Sequence, residues 1–256
     1  MDNPKLYEAF DWAQLNLEKV EQKARKILNI IPGDVKTLLD VGCGNGAITN
    51  VLNTKYDVTA IDRSEKALSY VKANKIVASS DDIPFPDQSF DMVFSSELLE
   101  HLEEETFQKT VEEFKRLTKK YIFISVPNGE NPNKLAIKCP KCGYIYNRPN
   151  HLRSIKKEDL VHLFDGFKLV YHEEFGPKTR YYRPALLKMK IKLTPSDSWI
   201  PKYWIPEAQR KTFCPSCEHQ FVIPYRFNLL SFGIDVFNVM VSPKKPYWQF
   251  ALLEKK

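Results

Sequence analysis

No stretch of this 256-residue chain approaches the about 20 consecutive apolar residues of a membrane-crossing helix. The polar start Met1-Asp2-Asn3-Pro4-Lys5 leads into no apolar signal region, so a soluble cytoplasmic protein is expected. Cysteine is scarce, and four of the five fall in two C-x-x-C pairs, which a reducing compartment makes metal ligands more readily than disulfides. Acids are missing from residues 134–157, which hold seven bases, and nearly missing from 176–211, where nine bases face Asp197 and Glu207. Residues 81–113 reverse this, with eleven acids and the single base Lys109. The net charge of +6 is therefore unevenly spread, and an anionic substrate or surface is expected near the later segments. The G-x-G-x-x-G spacing of dinucleotide-binding turns is also absent, which argues against a nicotinamide dehydrogenase.

The chain does hold Leu38-Leu39-Asp40-Val41-Gly42-Cys43-Gly44-Asn45-Gly46, an apolar run that breaks into glycines at alternate positions. A strand that opens through bare glycines into a helix brings backbone N–H groups up to a ligand, because no Cβ stands in the way. Cys43 reads as a small residue that fits the turn.

Apolar residues make up 43% of the chain, enough for a core, and their periodicity predicts alternating helices and strands. Leu6, Phe10, Ala13, Leu17, Val20, Ala24, Ile27 and Leu28 predict one or two amphipathic helices ended by Pro32-Gly33. Strands are expected at 37–41, 56–61, 76–79, 92–95, 121–126, 168–173 and 247–253, and helices at 47–53, 64–74, 111–117, 156–164 and 229–241. The last helix is apolar on most sides, for packing or for a membrane surface. Asp62 follows the second strand, where a carboxylate can accept from both hydroxyls of a ribose or cap the helix at 64–74. Glu97, Glu100 and His101, at i, i+3 and i+4, would share one helix face.

Each C-x-x-C pair, Cys139-Pro140-Lys141-Cys142 and Cys214-Pro215-Ser216-Cys217, is a tight turn that presents two thiolates to one ion, as in zinc ribbons. Surface turns or redox thiols are the other reading.

The order L-L-D-V-G-C-G-N-G, an acid-tipped strand, then I-P-F-P-D-Q-S-F-D-M-V-F-S-S-E-L-L-E-H-L resembles the class I, type 11-like methyltransferases that use S-adenosylmethionine, over about residues 35–130. The resemblance implies an α/β fold, a Rossmann-like, seven-stranded, mostly parallel sheet with helices on both faces. It implies Asp40, Gly42, Gly44 and Gly46 around the methionine part, Asp62 with Arg63 at the ribose, and Ser95 at the end of the fourth strand. Relatives carry an Asp for the adenine where this chain has Ser79, with Ser80 and Asp81 next to it. The E-x-x-E-H element is similar to that of ubiquinone-pathway O-methyltransferases and small-RNA terminal 2′-O-methyltransferases, in which it can bind a divalent cation. By that likeness Glu97, Glu100, His101 and His151 could hold Mg²⁺; alternatively His101 or His151 is a base or a substrate contact.

On such a sheet the connections that leave the fifth and sixth strands emerge at the same edge, so the insertions 134–150 and 176–226 of one methyltransferase domain spanning 1–256 could meet. Cys139, Cys142, Cys214 and Cys217 would then bind one structural Zn²⁺ that staples a lid. The expected activity is O-methylation of a small or medium acceptor, a glycan, lipid-linked or nucleotide-linked metabolite, and Arg180-Tyr181-Tyr182-Arg183, Lys188, Lys190, Lys192, Trp199, Tyr203 and Trp204 suit an anionic or sugar-like partner. An RNA methyltransferase and a non-catalytic S-adenosylmethionine-binding zinc protein are the alternatives. The Lys-Met-Lys-Ile-Lys-Leu run, 188–193, would serve RNA or form an amphipathic strand.

Overall fold

The runs Leu38–Leu39, Met92–Phe94 and Tyr121–Ile124 are apolar and buried at consecutive positions, as strands covered on both faces must be. A computed structural model describes residues 17–256, so Leu6, Phe10 and Ala13 lie outside the described part. Helix α1 (Leu17–Leu28) leads into β1 (Thr37–Val41), α2 (Thr49–Leu52), β2 (Asp57–Asp62), α3 (Glu65–Leu68), β3 (Asn74–Val77), β4 (Phe90–Ser96), α4 (Glu104–Leu117) and β5 (Thr118–Pro127). The chain continues through β6 (Ala136–Lys138), β7 (Ile145–Asn147), α5 (Lys157–Leu163), β8 (Phe167–Arg180) and α6 (Pro184–Leu193). It ends with β9 (Lys211–Phe213), β10 (Gln220–Val222), α7 (Leu229–Val241) and β11 (Lys244–Lys255).

Seven strands form one sheet in the order β3-β2-β1-β4-β5-β11-β8. All neighbours are parallel except β11, which runs antiparallel to both β5 and β8. One face packs Leu39, Val93 and Ile122 against Phe107, Phe114 and Phe164 of the α4–α5 side. The other packs Leu38, Met92 and Phe123 against Ile27, Leu52 and Leu68 of the α1–α3 side. The Rossmann-like sheet with helices on both faces is therefore present, and its strand order reverses between β1 and β4, the crevice where such sheets bind ligands.

The helices after β1 and β2 are much shorter than expected. Ser64, not Asp62, caps α3, its side chain accepting from Ala67 N at 3.2 Å, and the expected helix at 64–74 ends at Leu68. Residues 188–193 are not a strand but part of helix α6, because Pro184 opens a helical turn and Leu187 and Lys190, three apart, are its buried positions.

Strands β8 and β11 outrun the sheet: Lys244↔Arg180, Lys245↔Thr179 and Pro246↔Lys178 pair beyond Trp248↔Pro127, the last β11–β5 pair. Gly176 (φ +97°) permits this ribbon, since a Cβ there would lie 2.3 Å from the Trp248 ring. The ribbon and the carboxyl end of β5 thus deliver both insertions to one sheet edge. Two hairpins, β6–β7 and β9–β10, each fold about one C-x-x-C pair. They share a small core of Ile137, Tyr146, Trp199, Ile200, Ile205 and Ile223.

The interior of this inserted unit is unusually polar. Arg210 is buried, with its guanidinium donating to the carbonyls of Ile200, Ile205, Ile223 and Pro224 at 2.7–3.0 Å. Lys190 Nζ, fully buried, donates to both Asp235 oxygens at 2.7 and 2.8 Å and to Trp199 O at 2.9 Å. Tyr182 and Tyr203 donate to the same carboxylate at 2.8 and 3.2 Å. These contacts satisfy charges that would otherwise be costly so far from water.

Candidate active site and cysteine cluster

The glycine turn needs its glycines. Gly42, Gly44 and Gly46 all have positive φ (+73°, +54°, +72°). A Cβ would lie 2.9 Å from Leu98 Cδ1 at Gly42 and 2.8 Å from Val71 Cγ2 at Gly46. Asp40 lies buried under the turn, accepts from Thr49 Oγ1 at 2.6 Å, and is pushed up to about 7 by burial. Asp62, at the tip of β2, accepts from Gly44 N and Ser64 N, both at 2.9 Å. A half-exposed carboxylate against a bare turn fits the ribose and methionine ends of S-adenosylmethionine.

Ser79 donates to Asp81, which brings these two candidate adenine contacts together. Ser80 instead pairs with Thr110 of α4 at 2.8 Å, and buried Ser95 donates to Val41 O at 3.0 Å, tying β4 to β1. The I-P-F-P-D loop has a structural explanation that its sequence did not reveal. Arg116 donates to Phe85 O, Ile83 O and Asp87 Oδ1 at 2.7–3.0 Å, and Glu113 accepts from Ile83 N at 2.9 Å.

The E-x-x-E-H element departs from expectation. Glu97 has a left-handed backbone (φ +59°) and Leu99–His101 is a single 3-10 turn, so the three side chains share no helix face. Glu97 accepts from buried Lys23 of α1 at 3.0 Å, and that ammonium stands 4.5 Å over the Trp248 ring. Glu100, His101 and His151 do converge, with ligand atoms within 4.8 Å of one another. Glu100 is buried, both its oxygens lack a hydrogen-bond partner among the described residues, and burial, with Glu97 nearby, holds its carboxyl well above the usual range. Engagement of Glu97 by Lys23 leaves one carboxylate and two imidazoles, a poor set for an oxygen-seeking ion such as Mg²⁺.

The two rings stand edge to face, 4.8 Å apart. His101 Nδ1 lies 3.2 Å from Asn150 O, so Nδ1 carries the proton and Nε2 the lone pair. Burial, then His151 and Arg63, depress its pKa to about 3 and keep it neutral. His151 Nδ1 lies 2.7 Å from Glu130 Oε2, which by the same logic leaves its Nε2 as acceptor. Glu130 escaped sequence reading, since its only signal was an acid just beyond β5. Asn150, a second non-glycine residue with positive φ (+59°), turns the chain between the two imidazoles.

Glu130 also lines a small cavity with Lys134, Arg180, Tyr181, Lys245 and Tyr247 at the base of the ribbon. Tyr182 and Trp199 are buried in the inserted unit, so they are not open stacking surfaces. At its far end Cys139 Sγ stands 3.6 Å from Cys217 Sγ and Cys142 Sγ 3.7 Å from Cys214 Sγ, all four within 4.8 Å. Four sulfurs around one zinc at about 2.3 Å would lie roughly 3.8 Å apart, so the cluster fits such an ion. Burial opposes the Cys139 thiolate, but the N–H groups of Cys142 and Lys141 outweigh it and bring the thiol down to about 7.

Residues 39–124 match the family model of the methyltransferase domain. The chain is 27% identical over 190 residues to an uncharacterized protein of Methanocaldococcus jannaschii, covering 73% of this chain and 76% of that one. It is 37% identical over 78 residues to the 27-O-demethylrifamycin SV methyltransferase of Amycolatopsis mediterranei, 25% of this chain and 29% of that enzyme. Among solved structures, a SAM-dependent methyltransferase from Archaeoglobus fulgidus superimposes with a TM-score of 0.57 at 18% identity, covering 94% and 95% of the two chains. One from Methanosarcina mazei gives 0.51 at 15% identity, covering 90% and 96%. Residues 39–124 thus match a methyltransferase domain, and the reversing seven-stranded sheet with its glycine turn is the Rossmann-like fold of the SAM-dependent methyltransferases that superimpose on it.

Proposed function

We propose that the protein methylates a hydroxyl of a small or medium anionic acceptor, glycan-, lipid- or nucleotide-linked, with His151 as base. The Glu130–His151 pair carries this reading, because an imidazole oriented by a carboxylate can take a proton that a hydroxyl must lose. S-adenosylmethionine supplies an electrophilic methyl group. Around it Asp62 with Arg63 would hold the ribose, Ser79 and Asp81 the adenine side, and Asp40, Gly42, Gly44 and Gly46 the methionine side. His151 Nε2 would take the acceptor proton as the oxygen displaces the neutral thioether from the methyl carbon, and Glu130 would accept from Nδ1 of the resulting imidazolium. Neutral His101 orients the hydroxyl from the neighbouring ring position. Lys134, Arg180 and Lys245 favour an acceptor that carries negative charge beside the hydroxyl.

Burial takes Tyr182 and Trp199 out of the stacking surface that an RNA acceptor would use, while Tyr203 stays exposed. We also assign the four cysteines to one structural Zn²⁺ that holds the lid, with no ligand position left for catalysis. Labelled methyl transfer into RNase-treated and untreated cell extract tests the acceptor class. Label should persist after RNase, and its loss would establish the RNA reading. His151→Ala should lower transfer about 10²–10⁴-fold while calorimetric S-adenosylmethionine binding stays intact. Tight cofactor binding with no transfer into any extract would make the protein a non-catalytic binder.

A further inference from the structure

Helix α7 is built inside out. The side chains it turns inward include Ser231, Asp235 and Asn238, held by Ser198 O, Lys190 Nζ and Arg183 N. At 100° per residue, Leu229, Leu230, Phe232, Val236, Phe237, Val239 and Met240 then fall on the outer half. They are open to solvent, Leu229 at 76% and Met240 at 77% of their full exposure. Apolar positions normally face a core, so an outer half with no charged residue is a surface awaiting something apolar. The patch continues onto α6, which packs against α7 and exposes Met189 and Leu193, and onto Phe227, whose ring centroid is 5.8 Å from that of Phe232.

Charge identifies the occupant. Residues 176–245 hold twelve bases and four acids, and one of each is the buried pair Lys190–Asp235. Lys188, Lys192, Arg226, Lys244 and Lys245 are exposed on and around the two helices. The acid Glu207 is taken by Lys202 at 2.9 Å. A second copy seated on this patch would press two basic fringes together, whereas an anionic lipid surface satisfies apolar face and fringe at once. At 13 residues the helix is about 20 Å long, too short to cross a bilayer but suited to lie in its interface.

We propose that the outer face of α7, with the exposed edge of α6, docks the enzyme on an anionic bilayer surface. Arg180 fixes the orientation, since its Nη1 donates to Val239 O and Ser242 O at 2.7 and 2.6 Å and the same residue lines the cavity that reaches Glu130. Docking therefore brings that cavity to the headgroup layer. Resting on the acceptor reading above, this selects the lipid-linked class of acceptor.

Co-sedimentation of the whole protein with phosphatidylcholine vesicles, with and without phosphatidylglycerol, tests the inference. Binding should require phosphatidylglycerol and weaken with salt. It should fall about tenfold or more in Leu229→Glu/Phe237→Glu, and also in Lys188→Glu/Lys192→Glu, with circular dichroism and S-adenosylmethionine affinity unchanged. No phosphatidylglycerol-dependent binding, or binding that both double variants retain, would overturn it, as would a wild-type dimer in sedimentation that Leu229→Glu/Phe237→Glu dissolves. Vesicle binding is read without methyl transfer, so a failed base assignment leaves this test intact, and failed docking leaves the hydroxyl chemistry standing.

Discussion

Helices α4 and α7 are nearly equal in length and opposite in build. Helix α4 buries Phe107, Val111, Phe114 and Leu117 and shows water the pairs Glu105–Lys109 and Glu112–Lys115. Helix α7 buries Ser231, Asp235 and Asn238 beside the single apolar Ile234 and shows water its leucines, its phenylalanines, Val236 and Val239. The sheet offers α4 an apolar floor, so burial of carbon drives the packing. The inserted unit offers α7 a lysine, two tyrosines, the Arg183 N–H and the carbonyls of Tyr181 and Ser198, so satisfied polar contacts fix its orientation and the apolar side is left over. Helical periodicity reports that two faces exist; the partner surface decides which one is covered.

The largest predicted effect separates the two regions outright. Structural zinc contributes about 10–16 kcal/mol to small zinc modules. Chelation, or Cys214→Ser, should therefore release about one zinc per chain and abolish hydrogen-exchange protection in the two hairpins, 136–147 and 211–222, while β1, β4, β5 and β8 stay protected. Purified unchelated protein that contains no zinc would end the lid assignment.

Next come single truncations inside each helix. Phe114→Ala should cost about 3–5 kcal/mol in urea unfolding through cavity formation. Asp235→Ala should cost a similar 3–5 kcal/mol for a different reason, the stranded Lys190 ammonium. Lys190→Met/Asp235→Leu should regain much of that loss, and a double variant no better than Asp235→Ala would show that the tyrosines, not the charge pair, set the cost.

A smaller effect is read through pH. His101 has a folded-state pKa near 3 against 6.5 when free, so the native state binds fewer protons than the unfolded one. Its contribution is fully present above pH 6.5 and is lost as pH falls toward 3. Asp40, raised from 3.8 to about 7, acts oppositely, with stability lost as pH rises from about 4 through 7. His101→Asn should thus flatten the acid-side slope by about 1–2 kcal/mol between pH 6.5 and 4, after discounting for a half-buried ring, and leave the Asp40 trend in place. An unchanged slope would mean that the imidazole is not held neutral.

The smallest effect is the most diagnostic for α7. Phe237→Ser, on its outer face, should change stability by less than about 0.5 kcal/mol. A loss as large as that of Phe114→Ala would show the face to be covered.

The glycine turn, the acid-tipped second strand and the I-P-F-P element, all local in sequence, were enough to specify the sheet and the cofactor class, and the two C-x-x-C pairs, equally local, marked the knuckles. Backbone hydrogen bonding and bare-glycine geometry act over a few residues, so a few residues reveal them. The meeting of Cys139 and Cys142 with Cys214 and Cys217 followed from the topology that those local motifs implied. Tertiary structure alone decided the rest: that Lys23 takes Glu97 out of the E-x-x-E-H group, that Glu130 orients His151, and that Lys190 lies buried on Asp235. Each of these depends on a charge meeting its partner 21 to 74 residues away. Charge pairing carries no period and leaves no local signature, and it settled which way α7 faces.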